Sequence, residues 1–254
     1  MRFASLGSGS EGNGLVVESG ATRVLVDCGF PVAETTRRLA RLGLLPEDLS
    51  AIVVTHEHTD HVSGVARFSA RHRLPVWASF GTLAAMNGRF DAAAAIEGFN
   101  CGERFAIGEL CFEPFPVPHD AREPTQFVVT DGARRLGQVT DLGEVTPHVV
   151  EVLGGCEALV LECNHDLGML AKSDYPYRLK QRIAGRLGHL DNVAAADLLS
   201  RVNRGRLRHV IAAHLSQQNN LPELAQSALA GALGCAPEWV GVAAAEFGLD
   251  WREL

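Results

Sequence analysis

The sequence predicts an α+β fold in which two β-sheets carry helices on their outer sides. Its length allows one large domain or two small ones, and a single domain over residues 1–254 is the expectation. Three observations lead to this prediction. Short apolar runs typical of buried strands are interspersed with segments of helical periodicity. Polar groups follow five of the predicted strands, at residues 56–61, 119, 141, 165 and 214. The hydrophobic content of 46% is enough for a large core, and no repeat or low-complexity tract divides the chain.

The N-terminal part of the chain is predicted to contain four strands and two helices. Each strand is a short run rich in Val, Leu or Ile, and the first helix lies between Pro31 and Gly43, residue types that favour a helix start and a helix end. The predicted strands are residues 1–6, 15–19, 22–29 and 51–55, and the predicted helices are residues 31–42 and 62–68.

A glycine-rich loop at residues 7–14 contains the pattern G-x-G-x-x-G. In dinucleotide-binding proteins that pattern opens a helix, but here residues 15–19 continue as a strand. The sequence therefore predicts no dinucleotide cofactor. The loop is either a plain hairpin turn or a polar loop that approaches a ligand, and Ser8 is the candidate substrate-binding residue in the second interpretation.

The rest of the chain continues the alternation of strands and helices. An Asp131-Gly132 turn is predicted between two of the strands. The predicted strands are residues 75–78, 110–118, 125–130, 136–140, 158–163 and 210–213, and the predicted helices are residues 80–87, 146–153, 175–187 and 192–203.

The most informative stretch is the run His56-Glu57-His58-Thr59-Asp60-His61 after the strand at residues 51–55. Three imidazoles and a carboxylate in one tight loop cost solvation and like-charge repulsion, and a divalent cation relieves both. The alternative is a histidine-rich surface loop without a ligand. The complete H-x-H-x-D-H pattern directly after a strand favours a metal site.

Composition and charge narrow the classes of protein to which this chain can belong. The net charge of −7 gives no global reason to expect nucleic acid, and six cysteines without C-x-x-C spacing indicate buried free thiols. No apolar run reaches the roughly 18 residues of a membrane-spanning helix. The N-terminal apolar stretch is too short for a signal peptide, so we expect a cytoplasmic protein without a membrane partner. The oligomeric state stays open.

The polar groups after the strands resemble the metallo-β-lactamase superfamily, because they occur in its order. Other segments are similar to its WalJ/YycJ-type branch. These are residues 5–10 (SLGSGS), 162–166 (ECNHD), 175–180 (YPYRLK), 188–192 (GHLDN) and 213–216 (AHLS). The resemblance spans nearly the whole chain and implies a four-layer αβ/βα sandwich with a two-metal centre. Asp191 stands where that branch more often has Ser.

The superfamily pattern also implies a ligand set. One metal would be held by His56, His58 and His119, and the other by Asp60, His61 and His214. Asp141 would bridge the two metals, which would share a water ionised near neutral pH as the nucleophile. Nitrogen and oxygen ligands without a thiolate suit Zn²⁺, Mn²⁺ or Fe²⁺, and ligand type does not choose among them.

Two further histidines each have two interpretations, and one glutamate has an indirect role. Asp60 and His165 are the candidate catalytic residues. His165 either donates a proton or contacts a substrate phosphate, or it has a structural role. His189 either contacts a substrate phosphate or caps a helix locally. Glu162 is placed to orient a metal ligand.

Positive charge is concentrated between Lys172 and Arg208. This segment has nine basic and three acidic residues, a net charge of +6, so the remainder carries −13. In the predicted helix 175–187, Leu179, Ile183 and Leu187 would face the core, and Arg178, Arg182 and Arg186 would form a basic stripe beside them. The stripe is either a solvated face or a track for phosphates, with Arg178 and Arg182 as substrate-binding candidates.

These observations predict a metal-dependent phosphodiesterase, and the resemblance implies a DNA 5′-to-3′ exonuclease. One alternative is a small-molecule hydrolase acting on a thioester, lactone or cyclic phosphodiester with the same centre. The other is a DNA-binding module with a structural metal clasp, but a clasp has no need of a bridging nucleophile.

Overall fold

Two seven-stranded sheets face each other in the computed structural model, counted over the residues it describes, 1–90 and 95–254. The strands of the first sheet are β1 (Arg2–Gly7), β2 (Gly14–Ser19), β3 (Thr22–Val26), β4 (Ala51–Val53), β5 (Val76–Ser79), β6 (Ile96–Phe99) and, from the C-terminal end of the chain, β14 (Leu249–Glu253). Those of the second sheet are β7 (Phe105–Ile107), β8 (Leu110–Pro116), β9 (Thr125–Thr130), β10 (Arg135–Val139), β11 (Ala158–Glu162), β12 (His209–Ala213) and β13 (Gly241–Val242).

Helices connect consecutive strands in both sheets. They are α1 (Val32–Arg41), α2 (Thr59–Val62), α3 (Val65–His72), α4 (Phe80–Ala85), α5 (Pro147–Val152), α6 (Leu167–Lys172), α7 (Tyr177–Ile183), α8 (Asn192–Arg201) and α9 (Pro222–Leu233). Helices α1 and α3 contribute to the apolar cluster over the first sheet, and α5, α8 and α9 to the cluster over the second. The result is the predicted four-layer αβ/βα arrangement.

Alternating side chains explain why the sheets are covered on both faces. Along β3, Val24 and Val26 point into the layer between the sheets, whereas Leu25 packs against the outer helices. Along β11, Val160 faces the middle layer and Leu159 faces the outer one. Because successive strand residues point to opposite faces, a strand that is apolar throughout requires a packed layer on each side.

The direction of the strands places the polar groups at one edge. Strands β3 to β6 are parallel to one another, and so are β10 to β13. The carboxyl ends of parallel strands share one edge of a sheet, and the predicted site residues follow β4, β10, β11 and β12.

The predicted fold class is confirmed, and several element boundaries are corrected. The helix predicted at residues 175–187 extends only over Tyr177–Ile183, and the segment predicted as a helix at 62–68 is part of two short helices, α2 and α3. Strands β6, β7, β13 and β14 and helices α6 and α9 were not predicted. Across the described ranges, no helix combines the length and apolarity needed to cross a membrane.

Candidate metal centre

The histidine loop leaves β4 and is fixed to two neighbouring segments by backbone hydrogen bonds. Cys28 N–H donates to the carbonyl of His61 at 2.9 Å, and Asn13 N–H donates to the carbonyl of Asp60 at 2.8 Å. His58 is the N-terminal cap residue of α2, so Asp60 and His61 lie in the first turn of this short helix. These hydrogen bonds therefore fix the part of the backbone from which four predicted ligand side chains extend.

Three imidazoles form the first group of ligands. The ring centroids of His56, His58 and His119 lie 4.6 to 5.0 Å apart, and Nε2 of His119 is 3.2 Å from Nδ1 of His58. His119 Nδ1–H donates to the carbonyl of Gly188 at 3.0 Å, and His56 Nδ1 contacts Thr55 Oγ1 at 3.0 Å. These contacts leave Nε2 of both rings available to a metal.

A second group contains Asp60, His61 and His214. Asp60 Oδ2 lies 3.3 Å from Nε2 of His61 and 3.3 Å from Nε2 of His214. Asp141 lies between the two groups, because its carboxylate is 3.2 Å from His61 Nε2, 3.6 Å from His214 Nε2 and 3.8 Å from His119 Nε2. The seven predicted ligands therefore converge, with Asp141 at the centre.

Two buried carboxylates outside this set orient the imidazoles. Asp27 accepts a hydrogen bond from Nδ1–H of His61 at 2.8 Å and another from Thr55 N–H at 2.9 Å. Glu162 accepts from Nδ1–H of His214 at 3.1 Å. It also accepts from the backbone N–H groups of Asp141 and Leu142 at 3.0 and 2.9 Å. A carboxylate on the far nitrogen fixes the tautomer and direction of a metal-binding imidazole.

Backbone strain is concentrated at the same place. Asp27, Asp141 and His214 have φ angles of 62°, 56° and 56°, a left-handed conformation that is rare for residues other than glycine. Asp27 and His214 directly follow strands and Asp141 lies two positions after the end of β10, so the left-handed turn is part of how each side chain reaches the centre. Such strain persists where the surrounding contacts hold it, as Glu162 does for Asp141.

The electrostatics of the centre are those of clustered carboxylates among imidazoles. Burial lowers the pKa of His56 and of His119. Burial opposes protonation of His214 too, but the Asp141 and Asp60 carboxylates outweigh it and raise its pKa to about 10. Burial likewise favours the neutral form of Glu162, but the adjoining His189 and His214 lower its pKa to about 2. The carboxylates therefore retain negative charge that a cation can balance.

Two buried atoms test whether the residues fit a metal. Nε2 of His56 is buried and has no hydrogen-bond partner among the described residues. Oδ2 of Asp141, also buried, lies 3.2 Å from Nε2 of His61 but forms no hydrogen bond with a described residue. Unpartnered buried polar atoms are costly, and coordination to a metal removes that cost. The donor set of imidazole and carboxylate groups, with ligand atoms within 4.8 Å of one another, suits divalent metal ions.

An open cavity of about 490 Å³ adjoins the centre. His189 and Arg182, both predicted to bind substrate, lie in its wall. Arg182 Nε–H donates to Asp120 Oδ2 at 2.7 Å, and His189 Nδ1–H donates to Glu162 Oε1 at 2.9 Å. Burial disfavours the charged form of His189, but the Glu162 carboxylate outweighs it and raises its pKa. Arg182 therefore presents a guanidinium and His189 an imidazole beside the predicted metal ligands.

Two predicted residues lie behind the cavity wall. Ser8 Oγ accepts a hydrogen bond from His214 N–H at 2.9 Å, so this residue positions a predicted metal ligand. His165 is 1% exposed and its Nδ1 contacts Asn164 Oδ1 at 3.3 Å. Burial lowers the pKa of His165, which favours the neutral ring. Proton donation or phosphate contact by His165 stays a prediction.

The predicted core face of the helix at 175–187 is wrong. Among the described residues, α7 contains no fully buried side chain, and Leu187 lies beyond the helix with 53% exposure. Arg186 also lies beyond the helix and donates to Glu144 at 2.7 Å. Arg178 is exposed on α7, and the binding of phosphates by Arg178 and Arg182 stays a prediction.

Sequence reasoning missed Asp27 and Asn13. Asn13 Nδ2–H donates to Asp60 Oδ2 at 3.2 Å and lies 3.2 Å from His61 Nε2. Asp27 was included only in a predicted strand, and its position at a strand end was the available signal. The partner of each residue is more than thirty positions away, so no local pattern connects them.

Comparisons with known proteins agree with this geometry. The sequence profile of the beta-lactamase superfamily domain matches residues 22–214. The exodeoxyribonuclease WalJ of Streptococcus pneumoniae serotype 2 is 33% identical over 246 residues, which cover 95% of this chain and 91% of WalJ. The exodeoxyribonuclease YycJ of Bacillus anthracis is 35% identical over 235 residues, which cover 92% of this chain and 89% of YycJ.

A solved structure supports the fold alone. The crystal structure of the metallo-beta-lactamase fold protein YhfI from Bacillus subtilis is similar with a TM-score of 0.78. The match covers 100% of this chain and 98% of YhfI at 15% sequence identity.

Proposed function

The chain belongs to the beta-lactamase superfamily and, within it, to the family of the WalJ and YycJ exodeoxyribonucleases, and we propose that it is a DNA 5′-to-3′ exonuclease. It is a metal-dependent hydrolase, and the WalJ and YycJ relatives that it matches are exodeoxyribonucleases. The proposal adds DNA as substrate, attack from the 5′ end and a centre of two metal ions, with Zn²⁺ or Mn²⁺ favoured and Fe²⁺ a further candidate.

One observation carries the proposal: a centre rich in potential metal ligands opens into a cavity that also presents a guanidinium, Arg182, and an imidazole, His189. Arg182 and His189 line the same cavity as Asp60, Asp141 and His214. A phosphodiester is an anion, so positive side chains next to the reaction centre can hold it through charge-assisted hydrogen bonds. A neutral thioester or lactone makes no comparable use of them.

The residues that would hold the metals are those that the superfamily pattern implies. His56, His58 and His119 form one set, and Asp60, His61 and His214 form the other. Asp141 lies between the sets and would bridge them. When bound, divalent metals supply a water that ionises near neutral pH and offset the charge of a phosphoryl group.

The chain's own residues then position the substrate. Arg182 is held at the cavity wall by Asp120, and His189 is held by Glu162, so both donors are oriented before substrate arrives. Donors fixed in advance stabilise charge that develops in the transition state without a cost of reorganisation. Burial of His56, His61 and Asp141 keeps solvent from competing for the ligand atoms.

End-labelled substrates test this proposal. Metal-reconstituted protein is incubated with single- and double-stranded DNA labelled at the 5′ or the 3′ end, with RNA of the same sequence, and with a thioester panel. We expect early release of labelled mononucleotide from 5′-labelled DNA and slow hydrolysis of thioesters.

A pair of histidine variants provides the control. His58→Ala removes a proposed ligand and should abolish the release, whereas His148→Ala changes an exposed histidine of α5 and should not. Rapid thioester hydrolysis with intact DNA would instead support the small-molecule alternative.

A further inference from the structure

Helix α7 directs its apolar side at the cavity. Tyr175, Leu179 and Ile183 all line the cavity, and their spacing of four residues places them along one side of the helix and the turn before it. Leu179 and Ile183, two of the three residues that sequence periodicity assigns to the core, therefore face the cavity beside the metal centre.

The protein covers these side chains only in part. Tyr175, Leu179 and Ile183 are each partly buried, and polar contacts at the edges of α7 hold the helix in place. Lys180 Nζ donates to the carbonyl of Ala171 at 2.8 Å, and Arg182 donates to Asp120. His189 N–H donates to the carbonyl of Ile183 at 2.8 Å. Apolar side chains that the fold leaves partly exposed in the wall of a cavity beside a reaction centre indicate a ligand that contacts them.

The cavity thus has two chemically different sides. The ligand groups, Arg182 and His189 offer charge, whereas Tyr175, Leu179 and Ile183 offer apolar surface and one aromatic ring. A volume of about 490 Å³ accommodates a ligand of nucleotide size. A ligand that matches both sides carries an anionic group next to a flat, largely apolar one.

We propose that the α7 wall, formed by Tyr175, Leu179 and Ile183, binds the nucleobase of the terminal nucleotide while its phosphodiester lies at the metal centre. This inference rests on the proposed function and adds to it. A base within a duplex has its ring faces stacked on its neighbours, so the terminal base must be unpaired to lie against the wall. Stacking and apolar contact accept every base, which suits an enzyme that degrades DNA of any sequence.

The test compares oligonucleotides that differ only in the terminal base. One has an ordinary 5′-terminal nucleotide and the other an abasic 5′-terminal residue, and kcat/KM is measured for both. For wild type we expect the abasic end to be cut about 5-fold to 150-fold more slowly, the range that loss of one base–aromatic stack gives.

Variants of the wall identify the contact. Tyr175→Ala should lose a similar factor in kcat/KM on the ordinary end, because the terminal base has no ring left to contact. On the abasic end the variant should lose nothing further, because that end has no base. Tyr175→Phe keeps the ring and should keep the discrimination. Tyr177→Ala is the matched control, since Tyr177 is 73% exposed and is outside the cavity lining.

The possible outcomes distinguish the base site on the α7 wall from the proposed exonuclease function. The α7 wall is not a base site if wild type cuts both ends equally. It is also not a base site if the loss from Tyr175→Ala and the loss from the abasic end multiply when the two changes are combined. In either case the exonuclease proposal stands. Absence of nucleotide release from any DNA end would overturn the proposed function, and the base site with it. A terminal 2-aminopurine should be quenched by wild type and less by Tyr175→Ala, and equal quenching would also contradict the proposal.

Discussion

At the residue scale, most of the ligand imidazoles are held at the nitrogen that does not face the centre. Thr55 holds His56, Asp27 holds His61, the carbonyl of Gly188 holds His119, and Glu162 holds His214. The ring orientations are therefore set by the fold before a metal binds. Preorganised ligands bind metals more tightly than ligands that must first be ordered.

Replacement of Asp27 by Asn tests this orientation. Asn tolerates the left-handed backbone conformation at this position, so the change removes the charge and leaves the backbone largely unaffected. We expect metal affinity to fall by about 10-fold to 100-fold, as for other groups that orient metal ligands. Competition with a chromophoric chelator measures this affinity. Asp250→Asn is the control on an exposed carboxylate, and an unchanged affinity in Asp27→Asn would refute the role.

A pair of histidine variants separates cavity-lining from buried residues. His189→Ala should keep its metals and lose roughly 10²–10³-fold in kcat, because it removes a donor aimed at developing charge. His165→Ala should lose much less, since His165 lies behind Asn164. Steady-state kinetics together with metal analysis of both proteins checks this. A larger loss in His165→Ala than in His189→Ala would restore the proton-donor role expected from sequence.

The spacing of the histidine loop was sufficient to predict a metal site, and the family pattern implied the distant ligands. The orienting groups were harder to foresee. Asp27 and Asn13 act through residues more than thirty positions away, and an Asp at a strand end has many ordinary explanations. Side-chain contacts of this kind arise from tertiary structure and leave no local signature.

At the element scale, close backbone contacts fix the histidine loop against the loop after β3. A Cβ atom at Gly29 would lie 1.8 Å from the carbonyl oxygen of Asp60, and one at Gly64 would lie 2.0 Å from that of Phe30. Only glycine allows the two segments to approach this closely. These contacts position Asp60 and His61 relative to the rest of the centre.

Two glycine-to-alanine variants should therefore act in opposite directions. Gly29→Ala forces the loops apart and should lower the free energy of unfolding by roughly 1–3 kcal/mol, with loss of metal affinity. Gly231→Ala lies in α9, where a Cβ atom meets nothing within 4 Å, and should raise stability by about 0.5–1 kcal/mol. Denaturant unfolding measures both. A neutral Gly29→Ala would show that the close approach has no energetic role.

Helix α7 shows what periodicity can and cannot predict. The four-residue spacing correctly indicated one apolar side, but it could not say whether protein core or ligand covers that side. The helix also ends earlier than predicted, because the chain turns back at Gly188. His189 N–H then bonds to the carbonyl of Ile183, and a Cβ atom at Gly188 would lie 2.2 Å from that carbonyl oxygen. This turn depends on contacts that periodicity does not record.

At the scale of the whole molecule, the middle layer joins residues from both sheets and both ends of the chain. Phe3 and Leu254 belong to the same buried cluster as Phe127 and Ile211. The proposed ligands likewise come from both halves. We therefore propose that residues 1–254 form a single domain that unfolds as one unit.

Metal removal tests this proposal in calorimetry. At a metal concentration of 100 times Kd, each occupied site adds about 2.7 kcal/mol of stability. For a chain of this size, each site then raises the Tm by about 5–10 °C relative to the chelated protein. Both forms should melt in one transition, with equal calorimetric and van't Hoff enthalpies. Two separate transitions would contradict the single domain.

The central claim is that seven side chains form one centre in which Asp141 joins two metal ions. Elemental analysis after exhaustive dialysis tests it most directly. Wild type should retain two metals per chain, His58→Ala one, and Asp141→Ala neither, because loss of the shared carboxylate leaves two neighbouring cations without a common anion. A folded Asp141→Ala protein that still held two tightly bound metals would contradict the account.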